Sequence, residues 1–447
     1  MSTLARIQTV RATVSVATLT TLLVLASSPV HAQRGAGNAA APPDTLNDPV
    51  RLMVARLDLE KYKATIKGLT QFGDRRQGTE RNRKAVDWIE AQLKSYGCTP
   101  TERITYTYTT PQRGGGRGRG GDNTRADSTG ARGAGGGGGG RGPARPAGSV
   151  VGVGKAANPA QGGGRLWGVR TQTGVNTDSL KQPDPRIRAL DAEPAKDGER
   201  QEVFCTKVGS THPEEMYIVG GHMDGHGWNE AANDDGSGTA LVMELARVLS
   251  SPDVTTDRSI RFILWNNEET GTNGARAYIA QRDSLQGKEN PPGSGKYPEP
   301  KWLGMIQHDM MMFDHGMPRA DGTVSPEQRP EADVNIEFQV SSKQAEGAQK
   351  LAWFFQNANE KYATDYPARV GQHMTNTDSG PFQDLVPSIS LRENERGEQI
   401  GAGWDPQWHQ PTDLYSTYND KDFRLGLNAA QTTLAAVALL TGAKLAR

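Results

Sequence analysis

The sequence predicts an α/β fold, a central, mostly parallel mixed sheet with helices on both faces. Two observations carry that prediction. Apolar runs at Met216, Tyr217, Ile218 and Val219, at residues 260–265, and at Gly304, Met305 and Ile306 have the length and composition of buried strands. Between the first two lies a helical pattern from Thr239 that sets Leu241, Val242, Leu245, Val248 and Leu249 on one face. Strand, helix, strand in that order calls for a crossover, and hence for parallel strands with helices packed on the sheet.

At the N-terminus, Arg6 and Arg11 precede an apolar run through Val14, Ala17, Leu19, Leu22, Leu23, Val24 and Leu25, closed by Val30, His31 and Ala32. Positive charge, a short apolar run and a small residue at the end predict a signal peptide over residues 1–32, with export to the periplasm or the medium. The run is short for a membrane anchor, and no second stretch reads as long enough to span a bilayer. Residues 50–96 are helical in pattern. Leu52, Val54, Leu57 and Leu59 lead one amphipathic stretch, and Ala85, Ile89 and Leu93 mark another that stops at Gly97. Ile104 to Tyr108 alternates like a strand. Residues 113–164 are dominated by Gly, Arg, Ala and Pro, which cannot bury enough apolar surface to offset the entropy of ordering, and they read as a disordered insert. They lack the interleaved aromatics of an RNA-binding segment. A last helix fits residues 423–440.

Lysine plus arginine (51) balance aspartate plus glutamate (51), and the formal net charge of +0 argues against a general affinity for nucleic acid or anionic lipid. The two cysteines, Cys98 and Cys205, fall where two strands are expected to start. They form either a disulfide, in an oxidising compartment, or two separate buried thiols, and their spacing is unlike a metal site.

Each of the three apolar runs stops at ligand-type residues: His222, Met223 and Asp224; Asn266, Asn267, Glu268 and Glu269; His308 and Asp309. In an open α/β sheet the crevice beyond the strands' carboxyl ends binds ligands, so three distant stretches deliver His, Glu and Asp to one rim. Asn233, Asp234 and Asp235, before the helix, bring further polar and acidic groups to that edge, and His409 offers another imidazole. So many carboxylates on one rim repel unless cations turn the repulsion into coordination. Imidazole mixed with carboxylate suits zinc better than calcium or magnesium.

His-x-Asp, then Asp-Asp-Gly-Ser-Gly before a helix, Glu-Glu after a strand, a strand-ending Asp and a late His-x-x-x-Asp together resemble the secreted dizinc aminopeptidases and their glutamate-carboxypeptidase relatives. Residues 75–80 (Arg-Arg-Gln-Gly-Thr-Glu) are similar to that family's first helical hairpin. The resemblance implies one peptidase domain over residues 45–447, interrupted by 113–164, with two zinc ions per chain. It implies His222, Glu269, Asp309 and His409 as terminal ligands and Asp234 as the bridge. Asp224 would orient the His222 imidazole and Asp413, more loosely, His409. Glu268 would be the general base, taking a proton from a zinc-activated water and returning it to the leaving amine. The implied substrate is a peptide or a small dipeptide-like molecule.

The chain also departs from the pattern. Trp408 stands where many relatives carry an oxyanion-holding Tyr; packing is the favoured role, over donation by its indole. Ser379 follows Asp378 where relatives often have His. Arg392, Asn394 and Arg396 follow the run 389–391. A surface loop is favoured over contact with a substrate carboxylate, which would mark a carboxypeptidase. His226, His308, His315 and His373 read as structural or surface residues. An aminopeptidase is the leading expectation, with a carboxypeptidase, a glutaminyl-peptide cyclotransferase and a catalytically silent binding ectodomain as alternatives. The sequence has neither a Gly-x-Ser-x-Gly elbow nor a His-Glu-x-x-His helix, and residues 293–296 lack the rest of a phosphate loop.

Overall fold

The computed structural model describes residues 47–111, 174–313, 334–374, 377–393, 405 and 407–446. The leader at 1–32, the insert at 113–164, and His315, Asn394 and Arg396 lie outside the described residues.

The helical N-terminal region is three helices, α1 (Pro49–Val54), α2 (Leu59–Leu69) and α3 (Glu80–Ser95). Asp58 interrupts the first run by accepting from the amides of Glu60 and Lys61, so α2 restarts on its own cap. Thr79 caps α3 through Asn82 N. Strand β1 (Thr101–Tyr108) follows. Then come α4 (Pro185–Asp191), β2 (Gly198–Lys207), β3 (His212–His222), α5 (Gly236–Leu249), the short β4 (Val254–Thr255), β5 (Arg258–Trp265), α6 (Asn273–Arg282) and β6 (Lys301–His308). Next are β7 (Val334–Glu337), α7 (Ala345–Tyr362), β8 (Ala368–Gly371), β9 (Ser388–Arg392), α8 (Asp420–Thr441) and β10 (Lys444–Leu445).

Eight strands form one sheet in the order β1-β2-β5-β3-β6-β9-β7-β8. Its centre, β5, β3, β6 and β9, is parallel, and β1, β2 and β7 pair antiparallel towards the edges, so the mixed, mostly parallel expectation holds. The central strands are buried on both faces, which is why they read as unbroken apolar runs. In β5, Ile260, Phe262 and Leu264 face the larger core with α1, α2, α3, α5, α7 and α8. Ile263 and Trp265 face a smaller one with α6 and Phe382. Each fully buried side chain of this size contributes about 1.5–3 kcal/mol. Helix α8, with 22 residues, is long and apolar enough to cross a bilayer, which the sequence reading did not expect. Its most apolar window is 72% buried against the rest of the fold, as a core helix would be.

Cys98 and Cys205 are disulfide-bonded, with Cα atoms 5.7 Å apart, which decides between the two alternatives. Cys98 precedes β1, but Cys205 lies near the end of β2, not its start, because β2 runs antiparallel and sets Cys205 opposite Thr101. The bond spans a sequence separation of 107 and encloses the whole of 113–164. Constraining an unfolded loop of that size is worth about 4.7 kcal/mol in the chain-entropy picture. Replacing both cysteines by serine is expected to lower the free energy of unfolding by about that amount in guanidinium titrations. An unchanged midpoint would show that the link adds nothing.

Behind the N-terminal hairpin, Arg81 sits between two buried carboxylates, pairing with Asp74 and lying 3.2 Å from Asp191. Burial first, then the charge of Asp74, push the Asp191 carboxyl up to about 8. A raised folded-state pKa gives stability that is complete below the unfolded value near 4 and is lost as pH rises through 8. The melting temperature should therefore fall as pH rises from about 4 to about 8 and level off above that, and Asp191→Asn, which keeps the acceptor for Asp74 N, should flatten that fall. A wild-type slope surviving in the variant would assign the dependence elsewhere.

Candidate metal centre

Parallel pairing puts the ends of three strands at one level. His222 at the end of β3 is in register with Trp265 of β5, and Gly221 with His308 of β6. The residues just beyond these ends, Asn266 to Glu269 and Asp309, therefore emerge on the same rim as His222. Helix α5 starts on that rim as well. A Cβ on Gly221 would lie 2.8 Å from the Gly238 carbonyl carbon, so only glycine permits the approach. Asp235 ties the parts together: it caps α5 through Gly238 N (2.8 Å) and accepts from His222 N (3.0 Å) and Met310 N (3.1 Å).

The five residues expected as metal ligands converge. Asp234 directs one carboxylate oxygen to His222 Nε2 at 3.3 Å and the other to His409 Nε2 at 3.0 Å. Asp309 Oδ1 lies 3.9 Å from His222 Nε2 on the first side, and Glu269 Oε2 lies 3.0 Å from His409 Nε2 on the second. The backbone is unusual at these points. Asn267, Met310 and His409 have φ of 65°, 60° and 59°, and Trp228 and Ala231, in the loop leading to Asp234, have 62° and 45°. Non-glycine residues in this region cost about 1–3 kcal/mol each and persist where the surroundings enforce them, characteristically at functional sites. The turn at Asn267 redirects the chain just before Glu268 and Glu269.

Electrostatics favour a cation here. Burial raises Asp224 to about 6, and raises Glu268, Asp235 and Asp378 well above the usual carboxylate range, with neighbouring carboxylates adding to it. Burial would also raise Glu269, but the His226 and His409 imidazoles outweigh it and hold the carboxyl down at about 2. Burial would lower His409, yet Glu269 and Asp234 push it up to about 10. The carboxylates thus hold protons on the imidazoles, and a divalent cation would displace those protons. Glu269 Oε1, His226 Nε2 and His409 Nδ1 are buried with no hydrogen-bond partner. Two ligand clusters, His222 with Asp234 and Glu269, and His226 with Glu269 and His409, each have atoms within 4.8 Å of one another. This mixture of imidazole and carboxylate donors fits zinc.

Several expected roles change. The His222 Nδ1–H donates to the main-chain carbonyl of Asp224 at 2.9 Å, while the Asp224 side chain is 3.9 Å away and accepts from Glu268 N at 3.0 Å. Asp224 therefore orients the imidazole through its backbone and the Glu268 turn through its side chain. Asp413 does not support His409. It accepts from the amides of Asn233 (2.8 Å) and Asp234 (3.1 Å), and Tyr418 OH donates to it and to Asp405. Arg392 is buried, not part of a surface loop, with Nη1 3.1 Å from Asp309 Oδ2. Trp408 stacks on His409 with ring centroids 4.0 Å apart, in keeping with the packing role. The Ser379 hydroxyl is turned to Met374 Sδ (2.7 Å). His308 is buried between Gly220 O and the Thr433 hydroxyl and is structural; His373 is exposed. His226, in contrast, enters the centre, its Nε2 3.0 Å from Glu269 Oε2. The spacing of four from His222 was the available signal. Asn233, Glu393 and Asp405 form a buried polar support that periodicity could not reveal, with Asn233 Nδ2 donating at 2.8 Å to both acids.

Comparison with known proteins agrees with this architecture. An alignment with aminopeptidase YwaD of Bacillus subtilis is 42% identical over 78 residues, 17% of this chain and 16% of that protein. One with carboxypeptidase Q of Xenopus laevis is 37% identical over 71 residues, 16% and 15%. The matches thus span about a sixth of these relatives. Among solved structures, an aminopeptidase from Aneurinibacillus sp. strain AM-1 superposes with a TM-score of 0.52 at 20% identity, covering 87% of this chain and 95% of that one. A zinc aminopeptidase from Bacillus subtilis gives 0.51 at 16% identity, covering 86% and 95%. These two share the fold. Peptidase family M28 matches residues 202–433, more than half of the chain and the whole of the metal-centre framework from β2 into α8, and the protein belongs to that family.

Proposed function

We propose that this chain is an exported zinc exopeptidase, an aminopeptidase, that holds two zinc ions and hydrolyses peptide bonds with Glu268 as general base. One observation carries the reading: the two oxygens of Asp234 face two different imidazoles, at 3.3 and 3.0 Å, each with a second carboxylate beside it. A carboxylate so placed fits a bridge between two cations. His222, Asp234 and Asp309 would hold one zinc, and Asp234, Glu269 and His409 the other. Bound zinc would supply a Lewis acid for the scissile carbonyl and lower the pKa of the attacking water. Glu268, held at its amide by Asp224 and raised by burial, has the basicity to take the proton from that water and pass it to the leaving amine. Arg392, against Asp309, fixes the outer oxygen of that ligand. The Cys98–Cys205 disulfide supports export, since such bonds persist in oxidising compartments.

The test is metal analysis together with a defined peptide mixture, released products being read by mass spectrometry. The reading expects two zinc ions per chain and free N-terminal amino acids. C-terminal release would make it a carboxypeptidase, ring closure of N-terminal glutamine with one zinc a cyclotransferase, and no turnover with zinc bound a binding protein.

A further inference from the structure

We infer that His226 is an additional zinc ligand, completing a four-donor set with Asp234, Glu269 and His409 at the second cation position. The inference rests on the zinc reading of the site and concerns a residue outside the five expected ligands. His226 Nε2, Glu269 Oε2, His409 Nε2 and Asp234 Oδ2 are linked by successive separations of 3.0 Å. Donors 2.0–2.1 Å from a tetrahedral zinc stand roughly 3.3 Å apart, so each consecutive pair has the spacing of neighbouring donors, and atoms of His226, Glu269 and His409 all lie within 4.8 Å of one another. Nε2 of His226 is buried and makes no hydrogen bond despite its closeness to Glu269, so the contact lacks the direction of an ordinary imidazole–carboxylate pair. The two imidazoles meet edge to face, centroids 4.2 Å apart and planes at 87°.

The loop is built to hold that pose. Asn229 Nδ2 donates to His226 O at 3.0 Å and to Gln410 O at 2.9 Å, tying the loop to the segment that carries His409. Gly227, at φ 117°, lies so close that a Cβ would be 2.6 Å from His409 O, and Asn176 Nδ2 donates to its carbonyl at 3.2 Å. His226 and His409 are therefore positioned as one unit.

The two cation positions then differ. Four protein donors close a tetrahedral zinc site, whereas His222, Asp234 and Asp309 supply three, the number that leaves a position open for water or substrate. The position containing His226 is the tighter of the two, and the open one is where exchange with solvent occurs.

Zinc and cobalt titrations of the metal-free protein, with a competing chelating dye, test this. Wild type should show two unequal zinc affinities. His226→Phe, which keeps a ring against His409 but has no nitrogen donor, and His226→Ala should both weaken the tighter site at least tenfold, leave the weaker one within a factor of three, and alter the visible cobalt absorption of the first equivalent. Melting temperatures of the metal-free variants report folding separately. Wild-type affinities and an unchanged cobalt spectrum in both variants would overturn the ligand assignment while leaving the zinc reading intact. Absence of tight zinc binding by the wild type would overturn both.

Discussion

Glu268→Gln is expected to bind zinc as the parent protein does and to turn over peptides about 10²- to 10⁴-fold more slowly, the usual contribution of a positioned general base. Its neighbour should behave in the opposite way, since Glu269 Oε2 lies 3.0 Å from both His226 and His409, so Glu269→Gln should lose metal along with activity. The chain turns at Asn267, with a φ of 65°, just before the pair, and Glu268 N donates to Asp224 Oδ1, which anchors the base near the carboxyl end of β3. Metal content and kcat measured on the same preparations decide the matter. Substantial turnover by Glu268→Gln would remove it as the base, and loss of zinc would make it a ligand.

What was legible in the sequence follows from the geometry of parallel sheets. Strands β3, β5 and β6 are buried on both faces, so they stand out as apolar runs, and their ends mark the rim where His222, Glu269 and Asp309 gather. Strand β2, between β1 and β5, was harder to bound. It carries Arg200 and Glu202, both buried, inside the run, and these break the apolar pattern because their partners are Gln77 and Asn266, far away in sequence. Roles set by a loop's path were not legible either. Between His222 and Asp234 the chain turns through positive φ at Gly227, Trp228 and Ala231, and no periodicity reports where His226 points in so irregular a loop. Arg392 was misread for a related reason. A charge at the end of an apolar run suggests a surface, and its buried partner Asp309 belongs to a different strand end.

The buried polar groups behind the centre explain why ligand geometry and folding are joined. Asn233 donates to Glu393 and Asp405, Glu393 accepts from the amides of Met312 (2.9 Å) and Phe313 (2.7 Å), and Asp413 accepts from Asn233 and Asp234. The segment after Asp309 and the loop bearing Asp234 are thus fastened to the same group of acids. Burial first, with neighbouring carboxylate charge, raises Glu393 well above the usual range, Asp413 to about 7 and Asp405 to about 6. A network so dependent on complete hydrogen bonding tolerates little displacement, which suits a site whose donors must hold their spacing.

Asp234→Asn is the substitution expected to cost most in metal binding, because it acts on both cation positions at once. The amide keeps one oxygen but presents an NH₂ group to either His222 or His409, and a donor there cannot ligate a cation. The backbone of residue 234 remains fixed by Asp413, so the side chain has no freedom to compensate by shifting. Loss of the shared negative charge would also leave two cations, once bound, without the group that screens their repulsion. The expected result is one zinc or fewer per chain and activity reduced at least as far as in Glu268→Gln. Thermal stability gives a readout independent of turnover. Ligand at a hundredfold excess over Kd stabilises a folded protein by about 2.7 kcal/mol per site. Wild type should therefore gain about twice that on zinc addition, and Asp234→Asn no more than one site's worth. Asp309→Ala should fall between them, since of the two imidazoles Asp309 lies beside that of His222. Two zinc ions retained by Asp234→Asn, with the full zinc-dependent rise in melting temperature, would mean that the two imidazoles hold their cations without a bridge.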